Sequence, residues 1–405
     1  MQAAQLPPEI WLHIFRWATS PLSSGSFALT YEPFQIGSED VLKATLQAKY
    51  AIVRVCQLWR ALAMDLLYED VRVRHGMHLL ASALKGDECL AEGNGRWVRR
   101  LELPYAHTTT ATSDSSVTAL DILKNCPTLE VLTRPFPPES ADNMRFEFSA
   151  EHVVLTSLKR LEWWHYNGAA RSGGINSLYD VLKNAPNLQY LAVGGSVLPR
   201  FISVAPLCLT ALSTLRLRKM NHLFIRQICR WDFPSLEHVI VDVPETWHGA
   251  LEDFWEAFGD RLRTVELGQN LAFCVGDQIT AILQGCPRLK ELNYYVFFAS
   301  PVRFTFVHSS ISCIRLHAHP NLILLHDGWD FLAEHLAFLA GPSLPALRYV
   351  IFHGDWKVII EDARFASLHA ALLNRGCIIK YATGSLLLGS PQNSLMSAPS
   401  HVQLC

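Results

Sequence analysis

From residue 96 onward one hydrophobic pattern recurs, Leu-x-x-Leu-x-Leu with aliphatic substitutes. It reads VRRLEL (98–103), LEVLTR (129–134), LKRLEW (158–163), LQYLAV (188–193) and LSTLRL (212–217). It continues as LEHVIV (236–241), LRTVEL (262–267), LKELNY (289–294), ISCIRL (311–316) and LRYVIF (347–352). Successive starts lie between 22 residues (289 to 311) and 36 residues (311 to 347) apart. In ALDILKNCPTLEVL, SLYDVLKNAPNLQYL and ITAILQGCPRLKEL a helical run is followed by a small residue, a proline and the signature. The residue before a proline is pushed out of helical geometry, so each helix ends there. The chain then extends, and successive side chains alternate between interior and surface. Each unit is therefore predicted to be helix, turn, strand. One such unit cannot bury its apolar edge, but a stack can. The pattern predicts an α/β solenoid, a curved parallel sheet with helices outside. An array of purely helical repeats is the competitor, and VIVDV (239–243) and YVIF (349–352) speak for strands.

The first seventy-five residues follow a different rhythm. In LPPEIWLHIFRWAT (6–19), Pro7 and Pro8 suit a helix's first turn and Glu9 its positive end. Ile10, Ile14 and Trp17 form one apolar stripe, and Trp11, Phe15 and Ala18 the next. Residues 20–38, rich in Ser, Pro and Gly, read as a loop. Ser38 or Asp40 is placed to cap a second helix running through the fifties. RVCQLWRALAMDLLYEDV then sets Val55, Leu58, Trp59, Leu62 and Leu66 on one helical face. The sequence does not define the break between these helices.

LPPEIWLHIFRWA followed by VCQLWRALAMDLLYEDV resembles an F-box of the form common in fungal F-box proteins. Leu6, Pro7, Glu9, Ile10, Ile14, Phe15, Val55, Cys56 and Trp59 carry the match. The loop at 20–38 is longer than is usual in that family. The resemblance implies a small three-helix module docking on the Skp-type adaptor of a cullin–RING ubiquitin ligase. Leu6, Pro7, Ile10, Ile14, Phe15, Val55 and Trp59 match positions that serve that interface, and Cys56 is implied to be packed. The later pattern is similar to leucine-rich repeats, whose periods of about 20 to 29 residues cover most intervals. The expected organisation is an F-box-like helical domain at 1–75 with the loop inserted at 20–38, an irregular leucine-rich-repeat-like solenoid at 76–383, and a Ser-, Gly- and Pro-rich tail at 384–405. F-box plus leucine-rich repeats is a known family arrangement. It implies a substrate-recognition subunit of an SCF-type ligase, with an unknown protein target held by the repeats. The alternative is a non-catalytic interaction scaffold unconnected with ubiquitin ligation.

Composition narrows the remaining classes. With 35 basic and 37 acidic residues the net charge is −2, which argues against the broad basic surface of a nucleic-acid binder. The ten cysteines lack the close spacing of a disulfide framework or a zinc site, and are expected to be buried free thiols. No stretch approaches the about 20 apolar residues that span a bilayer, and MQAAQLPPEI lacks the features of a signal peptide. The expectation is an intracellular protein, cytoplasmic or nuclear, without a membrane partner.

In each signature positions one, four and six are expected inside, and the intervening positions on the concave face. That face would carry Arg100, Glu102, Arg160, Glu162, Trp164, Arg216, Arg218, His238, Asp242, Glu291, Tyr295, Arg315, His317, Tyr349 and His353. Trp164, Arg216, Arg218, His238, Asp242, Tyr295, Arg315 and Tyr349 are the candidate target-binding residues, mixed charge with aromatics being characteristic of protein-binding surfaces. His317 and His319 are too few for a metal site. No nucleophile or phosphate-loop motif occurs with suitable flanks. No catalytic residue and no cofactor is expected. Of each aromatic pair, Trp163/Trp164 and Phe297/Phe298, alternation puts one member inside and one at the surface.

Overall fold

Twelve strands pair in strict sequence order, and one apolar residue from each falls on a single line across the sheet. The line runs Val71, Leu101, Leu132, Leu161, Leu191, Leu215, Val239, Val265, Leu292, Ile314, Val350, Ile379. Every member is buried. Because side chains alternate along a strand, this register places all neighbours one residue away on the opposite, polar face. The structure is a computed structural model. It describes residues 6–19, 28–35, 39–73, 77–85, 93–103, 106–107, 119–134, 144–145, 154–165, 178–195, 206–242, 250–269, 277–302, 306–318 and 328–382.

The described residues open with three helices, α1 (Pro8–Thr19), α2 (Glu39–Ile52) and α3 (Gln57–Glu69), each touching the other two. Then follow β1 (Asp70–Arg72), α4 (Met77–Lys85), β2 (Arg100–Glu102), β3 (Ala106–His107), α5 (Ala119–Leu123), β4 (Val131–Arg134) and β5 (Met144–Arg145). The central units are β6 (Arg160–His165), α6 (Leu178–Lys183), β7 (Tyr190–Gly195), β8 (Thr214–Met220), α7 (His222–Ile228), β9 (His238–Val241), α8 (Ala250–Phe258), β10 (Thr264–Leu267) and α9 (Gln278–Gly285). The last are β11 (Glu291–Tyr295), β12 (Cys313–Ala318), α10 (Gly328–Ala340), β13 (Tyr349–Gly354), α11 (Lys357–Glu361), α12 (Ala363–Asn374) and β14 (Ile378–Tyr381). All pairs in the twelve-stranded sheet are parallel, and β3 with β5 forms a separate antiparallel pair. This is the α/β repeat architecture expected, consistent with a curved solenoid. The sheet, however, begins at Asp70, the C-cap of α3, so strand pairing starts inside the expected helical domain.

The repeats share one turn. The small residue before the proline, Cys126, Ala185 or Cys286, is buried. Its carbonyl accepts the N–H of the signature's first leucine, Leu129, Leu188 or Leu289. A larger residue there would collide with the core at the point where helix becomes strand. In several units the residue just before the signature ties that unit to the preceding one. Thr128 donates to the carbonyl of Arg96, Ser157 to Pro127, Asn187 to Thr156, Ser235 to Thr210 and Ser310 to Pro287. These bonds satisfy carbonyls that the ladder leaves over.

Several expectations need correction. Cys56 is exposed rather than packed, and its sulfur caps α3 by accepting the Trp59 N–H at 3.4 Å. Phe297 and Phe298 are both buried, because the chain leaves the strand at Tyr295 for a 3-10 turn and alternation ends there. Among the described cysteines only Cys126, Cys286 and Cys377 are fully buried. Asp40 falls inside α2 rather than before it. Ser38, His319 and the tail from 384 lie outside the described residues.

Candidate functional site

Two surfaces bear on function. The first is the outside of the helical bundle. Phe15, only 2% exposed, forms its core with Ala63 and Leu66, and Trp11, Trp59 and Leu62 pack around them. Phe15 and Trp59 meet edge to face at 4.8 Å, a geometry aromatic rings prefer. Of the residues expected to face a partner, Phe15 is therefore enclosed by its own bundle and Trp59 is half-buried. The others remain outside. Leu6 is 43% exposed, Ile10 46% and Ile14 38%, with Pro7 and Val55 exposed beside them. Trp17, at 81%, and Leu58 extend this apolar edge.

The second surface is the helix-free face of the sheet. The register sets Arg100, Arg160, Tyr190, His238 and Glu291 in one row. Glu102, Glu162, Arg216, Glu266, Asn293 and Arg315 follow in the next. The charges pair along and across strands. Arg100 meets Asp70 at 2.6 Å, Arg160 and Arg218 both meet Glu162 at 2.6 Å, Arg216 meets Asp242 at 2.7 Å and Arg315 meets Glu291 at 2.9 Å. Burial opposes the charge of Glu162, yet Arg218 and Arg160 hold its carboxyl well below the usual range. Trp164 lies over Gly194, where an added Cβ would come within 2.6 Å of its ring. Tyr349 lies under the ammonium of Lys380.

The centre of this face is occupied by the chain itself. Residues 28–35, from the loop between α1 and α2, lie across the strands as a strap. Arg160 donates to the carbonyl of Ala28 at 2.6 Å, and Arg216 to that of Gln35 at 3.3 Å. Glu266 accepts the Tyr31 hydroxyl at 2.7 Å and the Phe34 N–H at 2.8 Å on the same oxygen. Asn293 donates to the Tyr31 oxygen at 2.5 Å. The Tyr31 ring stacks on His238, with centroids 5.2 Å apart and planes 10° from parallel. Phe34 fits among Tyr295, His317 and His353. Beside Phe34 and Gln35 a cavity of about 360 Å³ remains, bounded by Arg216, Arg218, Asp242, Gly268 and Gln269.

The candidate target-binding residues Arg216, His238, Asp242 and Tyr295 are thus brought together around this strap. Trp164, Arg315 and Tyr349 sit on the same face, Arg315 paired with Glu291 and Tyr349 beneath Lys380. His238 and Tyr295 are covered by Tyr31 and Phe34, which a free platform would leave open. Sequence reading missed Glu266, Asn293, Tyr31 and Phe34. Glu266 occupies the fifth position of LRTVEL, the same position as Glu102, Glu162 and Arg216, so the repeat itself carried that signal.

Burial pushes the carboxyl of Glu266 up to about 7, with the Phe34 N–H, the Tyr31 hydroxyl and Arg216 pulling the other way. The thiols of Cys126, Cys229, Cys286 and Cys313 are pushed up to about 12 by burial, the opposite of nucleophile activation. No metal-sized cluster of His, Cys, Asp and Glu occurs among the described residues, and no described helix is long and apolar enough to cross a membrane. No known family model matches the chain, and no curated protein matches it.

Proposed function

We propose that this protein is a substrate-recognition adaptor of an SCF-type cullin–RING ubiquitin ligase, with the helical module as its F-box and the sheet as its leucine-rich-repeat target platform. The reading is supported chiefly by the apolar edge of the bundle. Phe15, Ala63 and Leu66 already supply an internal core, so Leu6, Ile10, Ile14, Val55 and Leu58 are surplus to it and each is exposed. Ile10 and Ile14 lie one turn apart on α1, and exposed apolar side chains grouped on one helix face mark a site for another protein. The Skp-type adaptor would cover this edge, and the repeats would hold a target protein near the ubiquitin-loaded enzyme. Linking two binding sites in one chain raises the effective concentration of the target without any chemistry by this subunit.

The enclosure of Phe15 supports the second reading, a scaffold outside ubiquitin ligation whose bundle mainly caps the sheet. The two separate in a co-purification with the Skp-type adaptor. Wild type should retain the adaptor, and a Leu6→Ala, Pro7→Ala, Ile10→Ala triple variant should lose it. Failure of wild type to retain the adaptor removes the ligase reading and leaves the scaffold.

A further inference from the structure

We propose that residues 28–35 are a tethered ligand for the polar face, and that the partner this face binds in trans is an extended peptide segment bearing a tyrosine and a phenylalanine three residues apart across a tight turn. This rests on the target-platform reading above and names the chemistry of the target. The contacts are those of peptide recognition, not of chain packing. Two guanidiniums, Arg160 and Arg216, each take a main-chain carbonyl of the strap, at Ala28 and Gln35. One carboxylate, Glu266, takes a main-chain N–H together with a phenol. Main-chain groups supply three of these bonds, so any peptide can make them. The two aromatic rings supply selectivity: Tyr31 against His238 and Phe34 among Tyr295, His317 and His353.

The backbone of the strap points the same way. Phe34 follows Pro33 in a turn and sits at φ 55°, a left-handed conformation that is unfavourable for a side-chain-bearing residue. Glycine normally takes that position. Phenylalanine is held there while its ring fills the aromatic site and its N–H reaches Glu266, so the sheet selects the turn. The strap also under-fills its site. The cavity of about 360 Å³ beside Gln35, lined by Arg218, Asp242 and Gln269, has room for a further side chain. A partner segment with a longer, charged side chain in the place of Gln35 would fill it, and would gain contacts with Arg218 or Asp242. Those contacts are what allow displacement, because a tethered strap competes at an effective concentration on the order of millimolar.

The test uses the full-length chain and a fluorescein-labelled peptide of residues 28–35, ALTYEPFQ, followed by anisotropy. A Tyr31→Ala, Phe34→Ala variant empties the site. It should bind the peptide about ten-fold or more tighter than wild type, whose own strap competes. Adding Glu266→Ala to that variant, which removes the shared acceptor of the tyrosine hydroxyl and the phenylalanine N–H, or replacing both aromatics of the peptide with alanine, should abolish the gain. Equal or absent binding by wild type and a folded double variant overturns the proposal. Should the double variant not fold, excess peptide is added to wild type and exchange of the Phe34 amide is followed. Faster exchange with peptide supports displacement, whereas exchange only through global unfolding, unaltered by peptide, makes the strap a fixed part of the core and overturns it. Neither assay contains the Skp-type adaptor. Loss of adaptor binding therefore sinks the ligase reading alone, and loss of peptide binding with the adaptor retained sinks this one alone.

Discussion

Tyr31 donates its phenol hydrogen to Glu266 over 2.7 Å, a contact between residues 235 positions apart in the chain. The acceptor oxygen also takes the Phe34 N–H, and Arg216 and Asp242 are the charged groups nearby. This contact joins the N-terminal loop to the middle of the repeat array, and it makes Glu266 one group through which pH acts on the strap, beside His238 and His353.

The folded protein holds the Glu266 carboxyl at about 7, against an ordinary value of 4.5, because burial penalises the charge. Between those values the folded state binds a proton that the unfolded chain has lost. The stability Glu266 contributes is complete below 4.5 and is lost as pH rises through about 7. Buried His335 and half-buried His353 act oppositely over the same range. Burial holds His335 and His353 near 4, so their contribution is present above 6.5 and lost as pH falls. The Glu266 effect must therefore be read by difference. The Tm of wild type relative to Glu266→Gln should decline steadily from about pH 5 to about pH 8. A constant difference would show that Glu266 is not held protonated by the fold.

The bundle offers a sharper separation of core from surface. Leu6 and Ile10 are exposed, so a Leu6→Ala, Ile10→Ala variant should unfold within about 0.5 kcal/mol of wild type. Phe15→Ala removes a ring packed against Trp11 and Trp59 and should cost about 3–5 kcal/mol. Urea unfolding of the purified variants decides it. A large loss from the double variant would mean that these side chains are covered in the folded chain.

The sheet was legible because its signal is periodic. Leu101, Leu132, Leu161 and their successors recur with strand alternation around them, and stacking admits essentially one register. That same alternation placed Arg160, Arg216 and His238 on the polar face. It could not place Tyr31 or Phe34. These belong to a segment whose composition says loop, and its destination is set by contacts with β6, β8, β10 and β11, far away in sequence. Glu266 was hidden differently: its position in LRTVEL was readable, but its partner was not. The unit-to-unit hydrogen bonds of Thr128, Ser157, Asn187, Ser235 and Ser310 come from polar residues placed one before the first position of their signatures. Phe298 misled because alternation holds only while the strand lasts, and the 3-10 turn at Val296–Phe298 ends it.

Close stacking of the repeats should be most exposed to test at Gly259. This residue starts a 3-10 turn after α8 and lies against the end of α9 in the next unit. A Cβ there would stand 1.9 Å from the Gly285 carbonyl oxygen, a backbone atom that cannot swing aside. Gly376 is a useful contrast. It has φ +86°, but a methyl group added to it would meet nothing within 4 Å, so only backbone strain opposes a side chain. Gly376→Ala should therefore cost about 1–2 kcal/mol, the left-handed penalty alone. Gly259→Ala must push two repeats apart, and overpacking of this kind costs about 1–3 kcal/mol or more, with the added loss of contacts along the seam. In an array held by nearest-neighbour interfaces, that loss should also broaden the unfolding transition, since the units on either side of the seam become less tightly coupled. Urea unfolding of both variants measures the comparison. A Gly259→Ala transition as sharp and as stable as that of Gly376→Ala would mean that the units do not approach at this seam.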